Sequence, residues 1–274
     1  MCKVSVIIAA YNAEQYIKVA VESILNQTHQ NLELIICDDY STDNTVGIIK
    51  KLMDEDNRIV LLKNDKNMRA AVTRNKCLEV AQGEFIAIQD ADDFSHPLRL
   101  EKQVNFLKKN NDYDFVSSRM FKFDENDDFN ILLELSPNSS EFSYKLPYIE
   151  SPKNKDFLFR LPYTHAATMF RSNAINSVHG YRVSKETVRG QDADLFMRLH
   201  AVGYKGFNLN ESLYYYFEGK EAFKRKKYKY RIHSAIIRYR GFKALGLMPI
   251  GYIYIIKPLI VGIIPVGILQ WYKK

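Results

Sequence analysis

The feature that most constrains this chain is an alternation in its first 95 residues: short β-branched runs, each ending in a polar cluster, separated by stretches of helical periodicity. Val4-Ser5-Val6-Ile7-Ile8-Ala9 is too short for a helix and reads as a buried strand. Asn12 followed by Gln15 reads as a capping box, and Ile17, Val21, Ile24 and Leu25 recur at helical spacing up to Gln27. A second strand over residues 32–37 stops at Asp38-Asp39, and Ser41 to Asp43 offer caps for a helix through Ile48, Ile49 and Leu52. A third strand at 59–62, a helix over 70–81 ended by Gly83, and a fourth strand at 84–89 follow. This alternation predicts an α/β fold with a mostly parallel sheet flanked by helices. A helix through Leu100, Val104 and Leu107, a strand at 115–118, surface loops over 124–163, a strand at 166–170, a helix at 191–201 and strands over 204–217 complete the domain.

In open sheets of this kind ligands bind beyond the carboxyl ends of the strands. Tyr11-Asn12, Asp38-Asp39 and Asp90-Ala91-Asp92-Asp93 all fall there. Any one of these Asp residues can serve as a turn or helix cap. Gathered at one edge, however, they repel one another unless a cation sits among them. Oxygen-only ligands suit Mg²⁺ or Mn²⁺ with substrate phosphates completing the shell. No G-x-G-x-x-G follows a strand, and no phosphate-binding G-x-x-x-x-G-K-[ST], serine nucleophile elbow or H-E-x-x-H occurs. Dinucleotide dehydrogenases, P-loop enzymes, serine hydrolases of that type and zinc peptidases are thereby excluded. Three cysteines, Cys2, Cys37 and Cys77, lie too far apart in sequence for a disulfide scaffold or zinc finger.

Taken together, Val4 to Asn12, Ser23 to Thr28, Glu33 to Asp43, Arg74-Asn75, Gly83 to Ile86, Asp90 to Asp93 and Gly190 to Leu195 resemble the ordered motifs of family 2 glycosyltransferases with the GT-A (Rossmann-like) fold. The resemblance covers roughly residues 3 to 215. It implies an inverting, metal-dependent transferase that moves one sugar from a nucleotide-sugar, a UDP-hexose or UDP-N-acetylhexosamine, to an acceptor hydroxyl. Residue by residue, it implies that Asp39 accepts a hydrogen bond from the base, Tyr11 packs beside it with Ala10 and Asn12 nearby, and Asp38 frames the pocket. Asp90-Ala91-Asp92 matches the DxD motif: Asp92 would bind Mn²⁺ or Mg²⁺, and Asp90 would reach ribose or sugar. Asp192 matches the catalytic base. Asp194, two positions on, points about 200° away on a helix and is spaced for an ion pair with Arg198. Arg74 is a further candidate for contact with the donor diphosphate, and His165 for contact with donor phosphate or acceptor. The chain departs from the pattern at Ala10, at Arg69, where a glycine is usual, and at Gln191, where an acidic residue usually precedes the base. Loss of that acidic neighbour removes an influence raising the pKa of Asp192. It also leaves room for an alternative, a non-enzymatic membrane-tethered nucleotide-binding or assembly subunit. The Tyr214-Tyr215-Tyr216 run suits a strand and receives no role.

The net charge of +7 is not evenly spread. Residues 220–274 hold 13 of the 39 Lys and Arg but one of the 32 acidic residues, so the tail carries +12 and the preceding 219 residues −5. This removes the support for nucleic-acid binding by the main domain. The division predicts a catalytic domain over 1–219 and a C-terminal membrane-associating segment over 220–274. Ile232, Ile236 and Tyr239 among basic residues read as a basic amphipathic helix. Residues 244–270 carry a single charge, Lys257, between two apolar stretches each too short to span a bilayer. An in-plane or re-entrant anchor attracted to anionic lipid is expected, and with it a membrane-linked acceptor for cell-surface polysaccharide or lipooligosaccharide synthesis. The apolar run after Lys3 is too short for a secretory signal. A cytoplasmic enzyme, peripheral on the cytosolic face of the membrane, is the resulting expectation.

Overall fold

The structure, a computed structural model, describes residues 2–124, 126–127, 136–139, 148–219 and 228–263. The N-terminal alternation resolves as β1 (Val4–Ala10), α1 (Ile17–Leu25), β2 (Leu32–Asp38), α2 (Thr45–Glu55), β3 (Ile59–Lys63), α3 (Arg69–Val80) and β4 (Phe85–Asp90). Then come β5 (Phe94–Ser95), α4 (Arg99–Lys109), β6 (Phe115–Phe123), β7 (Met169–Arg171), α5 (Ser172–Ser177), α6 (Gln191–Ala201), β8 (Gly206–Phe217), α7 (Tyr228–Ala244) and α8 (Gly251–Ile263). Among the described residues these strands form one sheet in the order β3-β2-β1-β4-β7-β6-β8-β5. The β3-β2-β1-β4 portion is wholly parallel, as the alternation requires, whereas β7 runs antiparallel to both β4 and β6.

The continuous apolar runs of β1, β2 and β4 follow from burial on both faces. Val6, Ile8, Leu34, Ile36, Phe85 and Ala87 pack with α1, α2 and α4, while Ile7, Ile35, Cys37, Ile86 and Ile88 pack with α3 and α6. Each such side chain contributes about 1.5–3 kcal/mol on burial. The register sets the functional edge: Ala10 lies opposite Asp38, and Ala9 opposite both Cys37 and Asp90.

Several local expectations change. No capping box forms at Asn12; its Oδ1 instead accepts the Thr42 amide (2.9 Å), and α1 starts after Tyr16 without a side-chain cap. Of the caps offered by Ser41 to Asp43, Asp43 holds the turn before α2 by accepting from the Thr45 and Glu14 amides. Gly83 does not terminate α3, which ends in extended backbone at Ala81. It is there for space: a Cβ at residue 83 would lie 2.5 Å from the Ser5 nitrogen and 2.8 Å from the Phe85 carbonyl oxygen. The strand expected at 166–170 is shorter, because residues 165–167 form a 3₁₀ turn and pairing begins at Met169. The strands expected over 204–217 are a single one, β8.

In the tail, α7 is not amphipathic in the expected sense. Ile232 and Tyr239 face outward, and Ala235, Ile237 and Phe242 are buried in the same core as Leu195 and Phe196 of α6. The tail and the preceding domain therefore share one core. On α8, Ile253, Ile256 and Ile260 are exposed. Among the described residues no helix is long and apolar enough to cross a membrane. Residues 224–227 of the basic run 224–231, and residues 264–274, lie outside the described residues.

Candidate active site

At the carboxyl ends of β1 and β4 a cavity of about 300 Å³ is lined by Ala9, Tyr11, Asn12, Ala13, Tyr16, Arg74, Asp90, Ala91 and Asp92. Of the residues singled out from sequence, Tyr11, Asn12, Arg74, Asp90, Ala91 and Asp92 meet there. Ala10 does not: its methyl is buried beneath the sheet and its carbonyl accepts the Asp39 amide (2.8 Å), so it acts by placing Asp39.

Asp38 ends β2 and Asp39 follows it; both are buried, and neither lines that cavity. Asp39 Oδ1 accepts from Asn64 Nδ2 (2.9 Å) and the Met68 amide (2.7 Å), and Oδ2 from the Arg69 amide (2.8 Å). Asp39 thus caps the approach to α3. Arg69 adopts φ +72° there, the left-handed region that explains why a glycine is usual at this position. Asp38 Oδ2 accepts the Ser41 amide (3.1 Å), while Oδ1 is buried without a partner among the described residues.

Arg74 is the hub. Its Nη2 lies 2.6 Å from Asp90 Oδ1, and its guanidinium carbon lies 5.7 Å from the centre of the Tyr181 ring. Burial opposes its charge, but Asp90, Tyr181 and Asp192 outweigh burial and hold its pKa above the ordinary arginine value. Asp192, half-buried in the first turn of α6, therefore acts electrostatically on the same guanidinium that Asp90 binds. Asp194 is directed elsewhere, paired with Arg198 (2.7 Å) and Arg182 (3.1 Å) as its spacing implied.

His165 bonds through Nε2 to the Tyr181 hydroxyl (2.8 Å). Burial first, then the Arg74 charge, push its pKa down to about 4, so it is a neutral imidazole at pH 7. It brings no positive charge to a phosphate. Asn75 explains its own place in the motif: it clamps the Tyr181 backbone by two hydrogen bonds of 2.8 Å.

Asp92 is exposed to solvent yet crowded by protein at the cleft floor. Desolvation and the Asp90 charge raise its pKa to about 6. Its carboxylate makes no ion pair or hydrogen bond to another side chain among the described residues. No group of three metal-ligating side chains occurs among them either. A hard divalent ion held by one or two carboxylates and otherwise by water and diphosphate oxygens fits this donor set. Asp93 is buried, and burial followed by the Asp92 and Asp90 charges pushes its pKa well up.

The family model for glycosyl transferase family 2 matches residues 5–178. This chain is a family 2 glycosyltransferase. The transferase is 40% identical over 277 residues to the putative glycosyltransferase EpsE of Bacillus subtilis strain 168, covering 99% of this chain and 93% of that protein. It is 46% identical over 105 residues to WfaP of Escherichia coli, named a UDP-Glc:alpha-D-GlcNAc-diphosphoundecaprenol beta-1,3-glucosyltransferase, covering 38% of this chain and 41% of that one. Among solved structures it resembles S. aureus TarS 1-349 in complex with UDP-GlcNAc (TM-score 0.66, 19% identity, 86% of this chain and 66% of that one). It also resembles the Pyrobaculum calidifontis mannosyltransferase PcManGT in complex with GDP-Man and Mn²⁺ (TM-score 0.60, 18% identity, 93% and 71%). At these identities the structural likeness establishes the GT-A fold of the transferase. Tyr181, Asn75 and Tyr214, whose hydroxyl accepts the Asp90 amide (3.1 Å), belong to the site although the sequence assigned them no role.

Proposed function

We propose that this glycosyltransferase moves one sugar, with inversion, from a UDP-hexose or UDP-N-acetylhexosamine to a hydroxyl of a membrane-linked glycan in cell-surface polysaccharide or lipooligosaccharide synthesis. The observation that carries the reading is Arg74, one buried guanidinium bonded to Asp90 at the cavity and acted on by Asp192 from α6. The cation pairs directly with the donor-side carboxylate and feels the charge of the acceptor-side one. UDP in the names of WfaP and of the TarS complex supports the nucleotide, and the diphosphoundecaprenol in the name of WfaP supports a lipid-linked acceptor.

In this reading Tyr11 packs beside the base, Asp39 Oδ2 keeps a lone pair for a base N–H, and the unpartnered Asp38 Oδ1 frames the pocket. Asp92 would hold Mn²⁺ or Mg²⁺, which supplies compensation for the charge on the departing nucleoside diphosphate. Asp192 takes the proton of the acceptor hydroxyl as its oxygen attacks the anomeric carbon. The bond from that carbon to the diphosphate oxygen breaks on the opposite face, which inverts the configuration. Arg74 fixes Asp90 and places positive charge beside the leaving group, while neutral His165 orients Tyr181. The exposed isoleucines of α8 and the basic residues of α7 support peripheral attachment to anionic lipid at the cytosolic face.

The test measures UDP release from UDP-sugars by the full chain with Mn²⁺ and a membrane extract. The parent is expected to turn over, and Asp192→Asn to lose activity by about 100-fold or more. An Asp192→Asn variant as active as the parent refutes the base, and a parent inert with every donor refutes the reading.

A further inference from the structure

Arg99, the first residue of α4, is completely buried, and among the described residues its guanidinium touches no carboxylate. Nη1 donates to Gln89 Oε1 (3.1 Å) and Ser95 Oγ (2.8 Å); Nη2 donates to the carbonyls of Ile88 (2.7 Å) and Ala166 (3.1 Å). The guanidinium carbon also lies 5.0 Å from the centre of the Tyr214 ring. Burial lowers its pKa to about 10, with Tyr214, Asp90 and Asp93 opposing, so it stays charged at neutral pH. All four acceptors are neutral. A full charge is therefore held out of water with no bonded counterion, which is costly and which packing alone does not require.

What the charge grips is the far side of the Asp90–Asp93 loop. Gln89, held by Arg99 and Ser95 through Oε1, donates from Nε2 to the carbonyls of Asp90 (3.1 Å) and Asp93 (2.9 Å). The Tyr214 hydroxyl accepts the Asp90 amide (3.1 Å) and lies 3.3 Å from Gln89 Nε2. Ala166, at the other end of the guanidinium, belongs to the turn that carries His165. One cation thus ties together both ends of an acidic loop and a second segment of the site. The carboxylates of Asp90 and Asp92 remain pointed at the cavity, free of Arg99.

We propose that Arg99 is a positioning residue for sugar transfer: a buried cationic clasp that, through Gln89 and Tyr214, presets the Asp90–Asp93 loop against the repulsion of its own carboxylates and locks it to the His165 turn. The consequence for metal and donor binding rests on the function proposed above, whereas the clasp does not.

The experiment compares the full chain with Arg99→Met, Arg99→Lys and Tyr214→Phe by amide hydrogen exchange without ligand, then by calorimetry with UDP and Mn²⁺. In Arg99→Met, amides of residues 89–96 are expected to exchange at least about tenfold faster, with β1 and β2 unchanged. Arg99→Lys restores part of the protection, and Tyr214→Phe, which keeps the ring, speeds the Asp90 amide. Affinity for UDP with Mn²⁺ falls about 10- to 100-fold in Arg99→Met, the range for loss of a group that orients a metal ligand, and recovers in part with Lys. Unchanged loop protection in both Arg99→Met and Tyr214→Phe overturns the clasp. So does protection lost evenly across the sheet, or a Lys variant no better than Met. Should Arg99→Met not fold, Tyr214→Phe decides alone. A parent that does not bind UDP refutes the functional reading, while the exchange result still decides the clasp.

Discussion

Acidification should destabilise this transferase through a histidine outside the active site. His200, near the end of α6, is 9% exposed, with Tyr163 Oη 2.9 Å from Nε2 and Asn154 Oδ1 3.2 Å from Nδ1. A neutral ring that donates to Asn154 and accepts from Tyr163 satisfies both contacts; a second proton would confront the Tyr163 hydroxyl. Burial, with Asp156 opposing, lowers the pKa from 6.5 to about 4. The unfolded chain therefore takes up this proton near pH 6.5 and the native chain only near 4. Between those values the unfolded state binds more protons, so stability falls as pH falls, by about 1.4 kcal/mol per pH unit and at most about 3 kcal/mol. His165 contributes with the same sign, whereas the raised Asp92 and Asp93 contribute with the opposite one. A parent curve alone mixes these effects, so the quantity to measure is the difference between the parent and His200→Gln. Urea unfolding from pH 7.5 to 4.5 is expected to show the parent losing about 1 kcal/mol more per pH unit than the variant below pH 6. Parallel curves refute the reasoning, whatever the variant's stability at neutral pH.

Gly83→Ala should cost about 1–3 kcal/mol in thermal or urea unfolding, because the new methyl meets backbone atoms of Ser5 and Phe85 inside 3 Å; a neutral result would mean that the β1 edge yields easily. Arg69→Gly should stabilise the chain by about 0.5–1 kcal/mol in urea unfolding, because relief of the φ +72° strain exceeds the added freedom of the unfolded chain. Its exposed guanidinium makes no ion pair among the described residues, so destabilisation by this variant would assign the side chain a contact of its own.

Much of the site was legible because it lies on strands whose ends the hydrophobic pattern marks. Asp38-Asp39 and Asp90-Ala91-Asp92 follow runs too apolar to be anything but buried strands, and Asp192 opens a helix whose limits the periodicity located. The misses share one cause. The Tyr214 hydroxyl and the Asp90 amide are 124 positions apart, and Asn75 and Tyr181 are 106 apart, so no local pattern joins them. Arg99 did leave a trace: it falls on the stripe of α4 that also carries Leu100, Gln103, Val104 and Leu107, all buried. A charged residue at a core position of a helix calls for buried acceptors.

By itself the sequence determined the strand–helix alternation, the acidic strand ends and the family, because side-chain periodicity and short motifs are properties of neighbouring residues. Only the tertiary structure decided that β7 enters antiparallel beside β4, that α7 shares the core of α6, and that Arg74 pairs with Asp90 at the cavity. Those outcomes depend on which distant surfaces close on one another. That choice is made by the summed burial and hydrogen bonding of the whole chain, and no stretch of sequence encodes it alone.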